Sequence, residues 1–346
     1  MAAELKLGLN TGYWAGGPPP GAQEAVHEAE QLGYDSMWTA EAYGSDCLTP
    51  LAWWGASTEK IKLGTAIVQM SARQPAAAAM AAMTMDLLSN GRFILGLGVS
   101  GPQVVEGWYG MPFEKPLART REYIGILRDI WARKGPVVAD GEHYKLPLPG
   151  GTGLAKPLKS SIHPLREEIP IYLGAEGPKN IAMCAELCDG WLSMLFAPES
   201  QDIYKSALEE GFAREGARRS FADFEVCSTV PLIVSEDLDA AADALRPFYA
   251  LYFGGMGAKG KNFHANVAIR MGYEQEVEQI AEAYLDGRKD EAAAKIPRKL
   301  IEDMSLIGPR EKIRDDLEKW RESIVNTLLI SGDSATLRAA AELVLG

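Results

Sequence analysis

Cysteine and histidine are scarce in this chain, four of each among 346 residues. The cysteines, at 47, 184, 188 and 227, are too few for a disulfide scaffold, and a reducing compartment is the expectation. The histidines, at 27, 143, 163 and 264, show no H-x-H or H-E-x-x-H spacing. Cys184 and Cys188 share a helix face but lack a second pair, so buried structural thiols are favoured over a metal site, and no metal is expected. Basic charge is also in short supply, with 35 Lys and Arg against 47 Asp and Glu for a net charge of -12. That balance disfavours a nucleic-acid partner, although a local basic patch could still hold a small anion. No run of about 18 apolar residues is present, which excludes a spanning helix and a membrane role. The first residues, Met1 to Lys6, lack the apolar core of a signal peptide, so a soluble, cytoplasmic protein is expected. Missing too are a G-x-S-x-G elbow and a Walker loop, which argues against an α/β-hydrolase and a P-loop ATPase.

What the chain does have is alternation. Hydrophobic residues make up 47%, an ordinary globular fraction. Short apolar runs read as strands at Leu5–Asn10, Tyr34–Thr39, Ile61–Gln69, Phe93–Val99, Ile169–Leu173, Trp191–Phe196, Glu225–Val234 and Thr327–Ile330. Amphipathic stretches fall between them, at about 22–32, 48–59, 75–90, 116–134, 178–188, 200–216, 237–252, 310–323 and 334–345, which is the pattern of a parallel sheet. Eight such units favour a (β/α)₈ TIM barrel over a doubly wound sheet. A barrel needs about 250 residues, leaving roughly 100 for insertions. These are placed at about 135–168 and 254–305 within one domain spanning 1–346, at least one of them serving as a lid.

Several loops carry candidate chemistry. Gly96-Leu97-Gly98-Val99-Ser100-Gly101 matches G-x-G-x-x-G, but Pro102 closes it and the segment beyond leaves little room for a dinucleotide helix. It reads better as a βα loop whose N–H groups approach an anion; the plainer reading is glycines for tight turning. A second such loop is Gly174 to Asn180, with Pro178 near the first helical turn and Lys179 beside it. Lys156, Lys159 and Arg166 form a basic cluster, read either as a solvated face or as a rim for the tail of a polyanionic ligand. Glu41, just beyond the second strand, is placed on the active face, as a proton-exchanging carboxylate or as a plain helix-capping acid. Asn10, Tyr13 and Trp14 follow the first strand, where core packing and a cofactor wall are both open.

The segments GYDSMWTAEAYGSD (33–46), KLGTAIVQMSARQPAAAAMAAMTMDLLSNGRFILGLGVSGPQVVEGWYG (62–110) and IPIYLGAEGPKNIAMCAELCDGWL (169–192) resemble the bacterial-luciferase-like flavin and deazaflavin family. Within it they are most similar to the actinobacterial coenzyme F420-dependent oxidoreductases. The resemblance implies a barrel with F420 laid across the C-terminal strand ends and hydride transfer at deazaflavin C5 to a small, apolar organic substrate. It also implies a third-strand bulge with a non-prolyl cis peptide against the cofactor ring, matched here by Ala66 and Ile67. Gly98, Val99, Ser100, Gly101, Pro102 and Gln103 match the loop beside the cofactor's phosphate-bearing chain. Ala175, Glu176, Gly177, Pro178 and Lys179 match the second phosphate-contacting loop, and Asn10 joins the cofactor set. Glu41 stands where many relatives place a histidine, and Gln103 replaces a glutamate of sugar-phosphate-oxidising relatives, which argues against that substrate. Glu41 is then the candidate for proton transfer, with Trp14 and Tyr109 as substrate-pocket walls. FMN in a monooxygenase is the alternative cofactor, and a non-catalytic F420 carrier or sensor the alternative role. Relatives of this kind pair as homodimers.

Overall fold

A computed structural model describes residues 4–14, 16–257 and 262–346. Eight parallel strands close on themselves: β1 (Lys6–Gly12), β2 (Ser36–Thr39), β3 (Lys62–Thr65, resumed at Val68–Gln69), β4 (Phe93–Gly98), β5 (Ile171–Gly174), β6 (Gly190–Ser193), β7 (Glu225–Thr229) and β8 (Thr327–Ile330). Closure is made by β8 on β1, with Lys6 opposite Thr327 and Leu9 opposite Ile330. The strands are short and buried on both faces, as a barrel wall between a packed interior and a helical layer requires.

Local chemistry explains where the helices start and stop. Pro75 and Pro116 sit at the first turn of Pro75–Leu88 and Pro116–Ala132, where a missing N–H costs nothing. Pro75–Leu88 is stopped by Asn90 and Gly91, both at positive φ. The Asp237 and Asp333 side chains cap Leu238–Ala250 and Ser334–Val344, accepting from Ala240 and Thr336 N–H at 3.0 and 2.9 Å. Each cap contributes about 1 kcal/mol. The run Glu225–Val234, expected as one strand, is broken at Pro231, which has no N–H to give the ladder. Leu232–Val234 leaves the barrel and pairs with Leu306–Gly308.

The barrel interior is plugged by Trp38, Ile94, Tyr172, Leu192, Cys227 and Leu329. Trp38 and Tyr172 pack with their rings tilted by 33° and centroids 5.7 Å apart. A larger core lies between strands and helices. All four cysteines are free and buried, with the Cys184 thiol donating to Gly190 O at 3.2 Å.

The two insertions differ in position. Residues 135–168 carry a hairpin, Ala139–Asp140 with Lys145–Leu146. It is held by Glu122, whose carboxylate accepts the N–H groups of Glu142, His143 and Tyr144. The segment then returns to the far end of Pro116–Ala132, with Val137 N–H on Leu158 O and Arg133 on Ser160 O. Residues 254–305 include helices Ala265–Arg270, Glu274–Leu285, Lys289–Ala294 and Arg298–Asp303. These build a second core with Tyr249 and Phe253, seated on Leu195 and Ala197 beyond β6. Among the described residues no helix is long and apolar enough to cross a membrane.

Candidate functional site

The C-terminal strand ends gather around the β3 bulge. From Gly64 to Val68, β3 advances four residues while β4 advances three, from Ile94 to Leu97. The extra residue lies in Ala66–Ile67, whose peptide bond is cis. Both residues stay partly exposed while packing on the Trp38–Tyr172 plug, so they form a shelf at the mouth.

Neighbouring strands approach this shelf through glycine. A Cβ on Gly96 would lie 1.7 Å from Thr65 O, and one on Gly98 would lie 2.6 Å from Ile67 Cδ1. The first two glycines of the G-x-G-x-x-G run therefore serve close packing on β3. Beyond them Ser100 adopts φ 59°, a left-handed conformation unusual for serine that costs about 1–3 kcal/mol and tends to cluster at functional sites. Pro102 opens a helix of only six residues, Pro102–Gly107, in line with the little room expected there. Val99 to Pro102 are half-buried and Gln103 is exposed.

Glu41 is buried and fully engaged. Its Oε1 accepts from Gln69 N–H at 2.8 Å and from Arg73 at 2.5 Å, and its Oε2 accepts from Cys47 N–H at 3.3 Å. The Gln69 side chain returns two bonds, to Glu41 O and Ala42 O. The loop beyond β2 is thereby clipped to the strand that resumes after the bulge. Burial works against the Arg73 charge, yet its hydrogen bond to Glu41 and the carboxylate's charge raise it above its ordinary value. Burial, with the Glu41 charge adding, pushes the Cys47 thiol well up. The Tyr109 phenol is also raised, by burial first, and donates to Ala42 O at 3.3 Å.

Asn10 shapes its own strand end: its Oδ1 accepts Gly12 N–H at 3.1 Å, where the β1–β2 register shifts, and its carbonyl accepts from Ser331. Trp14 packs on Trp54, with its N–H on Ser45. Tyr13 and Tyr43 stand 6.5 Å apart.

The loop beyond β5 closes the circle. A Cβ on Gly174 would lie 3.2 Å from Ile67 Cγ2, so this loop borders the shelf directly. Ala175 is buried, with its carbonyl bonded by Trp191. Gly177 caps the helix Pro178–Leu187, and Lys179 is exposed. Glu176 turns toward the second insertion, its carboxylate 2.5 Å from His264 Nδ1, while Arg270 donates to its backbone oxygen at 2.9 Å.

The structure thus brings Asn10, Trp14, Glu41, Ala66, Ile67, Gly98 to Gln103, Tyr109 and Ala175 to Lys179 to one face. The basic rim is a correction. Arg166 grips buried Asp86 with bonds of 2.6 and 3.1 Å and also reaches Phe93 O, at the opposite end of the barrel. Lys159 precedes Ser160 on that same side, and Lys156 is exposed beside it. A guanidinium facing a buried carboxylate is worth more there than at an exposed rim. Gln69, Arg73, Tyr252, His264 and Arg270 were not singled out in the sequence. Arg73 could have been found, since it stands two residues before the Pro75 that opens a helix on the active face. His264 and Arg270 carry no local signal.

A family model described as luciferase-like monooxygenase matches residues 8–327. A Mycobacterium tuberculosis protein named "Putative coenzyme F420-dependent oxidoreductase Rv3520c" is 54% identical over 337 residues, 97% of each chain. A 5,10-methylenetetrahydromethanopterin reductase of Archaeoglobus fulgidus is 29% identical, covering 89% of this chain and 87% of its own. The fold is shared with the coenzyme F420-dependent tetrahydromethanopterin reductase of Methanopyrus kandleri, at TM-score 0.80 and 24% identity over 99% of both chains.

Proposed function

Because the chain belongs to the luciferase-like monooxygenase family, we propose that it is a coenzyme F420-dependent oxidoreductase. The observation that carries this reading is the shelf itself, Ala66–Ile67, against which Gly98 and Gly174 let the neighbouring strands pack closely, since a Cβ on either would press on the Ile67 side chain. A planar tricyclic ring would lie on this partly exposed shelf, with Ala66 and Ile67 backing it. The loops Gly98–Gln103 and Ala175–Lys179, each running into a helix start, would offer backbone N–H groups to the cofactor's phosphate-bearing chain, with exposed Lys179 supplying a positive charge. When bound, the deazaflavin supplies a hydride at C5, and the barrel positions it and excludes water.

Glu41 was expected to move a proton. With three donors already on its carboxylate, it acts better by holding Arg73 and the bulged strand in place. Trp14 and Tyr109, with Tyr13 and Tyr43 near them, line the space for a small apolar substrate bearing a polar double bond. A cytoplasmic homodimer completes the reading.

Titration of the purified apo-protein with F420 and with FMN, followed by fluorescence quenching, tests the assignment. Micromolar F420 binding with weaker FMN binding is expected. Micromolar FMN binding without F420 binding overturns it, and F420 binding without turnover of any carbonyl, enone or imine points to a carrier or sensor.

A further inference from the structure

If Glu41 is committed as an acceptor, the proton that must accompany a hydride comes from elsewhere. We infer that His264, oriented by Glu176, is the proton donor of this site, an inference that rests on the oxidoreductase reading above. His264 Nδ1 and Glu176 Oε1 lie 2.5 Å apart; the ring N–H is not aligned for a regular hydrogen bond there, and a proton shared across this contact is what would keep two bare acceptors from facing each other. With Nδ1 facing the carboxylate, Nε2 is the nitrogen left to exchange protons.

Position supports the role. Glu176 lies two residues beyond Gly174, which abuts Ile67, so the imidazole that faces it belongs to the loops at the mouth of the barrel. By contrast, His27 lies on the outer helix Ala22–Gln31, and His143 and His163 lie in the first insertion. The His264 side chain keeps 23% of its surface accessible, enough for solvent to reprotonate it, and Glu176 keeps 16%. The groups facing His264 come from several elements. Tyr252 packs edge-on, with ring centroids 4.9 Å apart. Its phenol is pushed up to about 12, by burial first, with Tyr13, Glu176 and Tyr43 adding, so it stays neutral. Arg270 sits on the Glu176 backbone and near Tyr204. Asn262 fixes the approach, bonding Tyr252 O and Phe253 O while accepting the N–H groups of His264 and Ala265. Glu176 Oε2 is buried with no partner among the described residues, an acceptor left open beside the pair.

The step balances. As hydride reaches the carbon of a C=X bond, the π pair takes the Nε2 proton and becomes the X–H bond. The N–H bonding pair returns to the ring, leaving a neutral imidazole with Nδ1–H on Glu176. Solvent restores the second ring proton.

The test uses the full chain with reduced F420 and three probes, 2-cyclohexen-1-one, benzaldehyde and 1-pyrroline. His264→Asn keeps a side-chain N–H for Glu176 but cannot donate a proton. It is expected to lower kcat about a hundredfold with KM and F420 affinity unchanged. His264→Ala should regain activity with added imidazole, and Glu176→Gln should lose about tenfold and shift the pH profile of kcat. Independently of turnover, ¹⁵N NMR should find the neutral ring protonated at Nδ1, and at Nε2 in Glu176→Ala. Full activity in His264→Asn, no rescue by imidazole, or a wild-type ring protonated at Nε2 each overturns the inference alone. Wild-type protein that binds F420 but turns over none of the probes overturns the oxidoreductase reading and this inference with it.

Discussion

The two ends of the barrel treat buried polar groups differently. At the N-terminal end they are paired. Asp86 is gripped by Arg166, and Asp189 takes Arg219 and the Ile171 N–H. Glu30 accepts three consecutive N–H groups, from Glu59, Lys60 and Ile61. Arg92 spends four bonds on Thr58, Ile61 and Ser89. At the mouth, Gln69 Oε1, Glu176 Oε2, Asn180 Oδ1, Ser228 Oγ, His264 Nδ1 and Arg270 Nε are buried with no hydrogen-bond partner among the described residues. Arg218 Nε is an exception at the paired end. Ser100 and Leu195, both beyond strand ends at the mouth, adopt positive φ as well. A buried group without a partner costs about 1–3 kcal/mol, so one end secures stability and the other holds polar atoms open for a ligand.

Breaking the paired end should therefore cost stability and leave binding alone. Arg166→Ala strands the Asp86 carboxylate, which is 1% exposed. A loss of about 3 kcal/mol is expected, read as a lower urea midpoint with an unchanged slope. F420 affinity should stay within twofold. A tenfold loss of affinity would show that the two ends are not separable.

The Arg73–Glu41 ion pair at the mouth sharpens the contrast. Arg73→Ala leaves Glu41, whose side chain is 4% exposed, with backbone donors only. A loss of about 2 kcal/mol is expected. Unlike Arg166→Ala, it should also weaken F420 binding about tenfold, because Glu41 would no longer fix the strand that resumes after the bulge. Calorimetric affinity measured on both variants makes the comparison direct.

The paired end was also the less legible one. All eight strands show in the sequence, because short apolar runs recur between amphipathic stretches, and Pro75, Pro116 and Gly91 mark helix limits. Ala66–Ile67 and the two glycine loops could be placed because they lie at strand ends, where sequence order fixes the active face. Arg166 was misplaced because charge composition does not say which buried carboxylate a long side chain will reach across 80 residues. His264 was missed for the same reason. Its partner is 88 positions away, on a different element, and only the packing of the second insertion on the barrel brings them together.

Acid should expose the paired end by its slope. Glu186, on the helix Pro178–Leu187, is held down to about 2 by its hydrogen bond from Arg121, with Arg214 adding a second. A carboxyl with a folded value below its ordinary 4.5 binds fewer protons folded than unfolded. Its contribution is therefore complete above about pH 4.5 and is lost as pH falls toward 2. Arg121 and Arg214 are 47% and 34% exposed, so solvent screening reduces the contribution to about 1 kcal/mol. Glu186→Gln should be less stable than the parent by that amount at pH 7, and the gap should close on acidification, as urea melts at pH 7, 4.5 and 2.5 would show. A gap that stays constant with pH would mean that Glu186 contributes through packing on its neighbours and not through its charge.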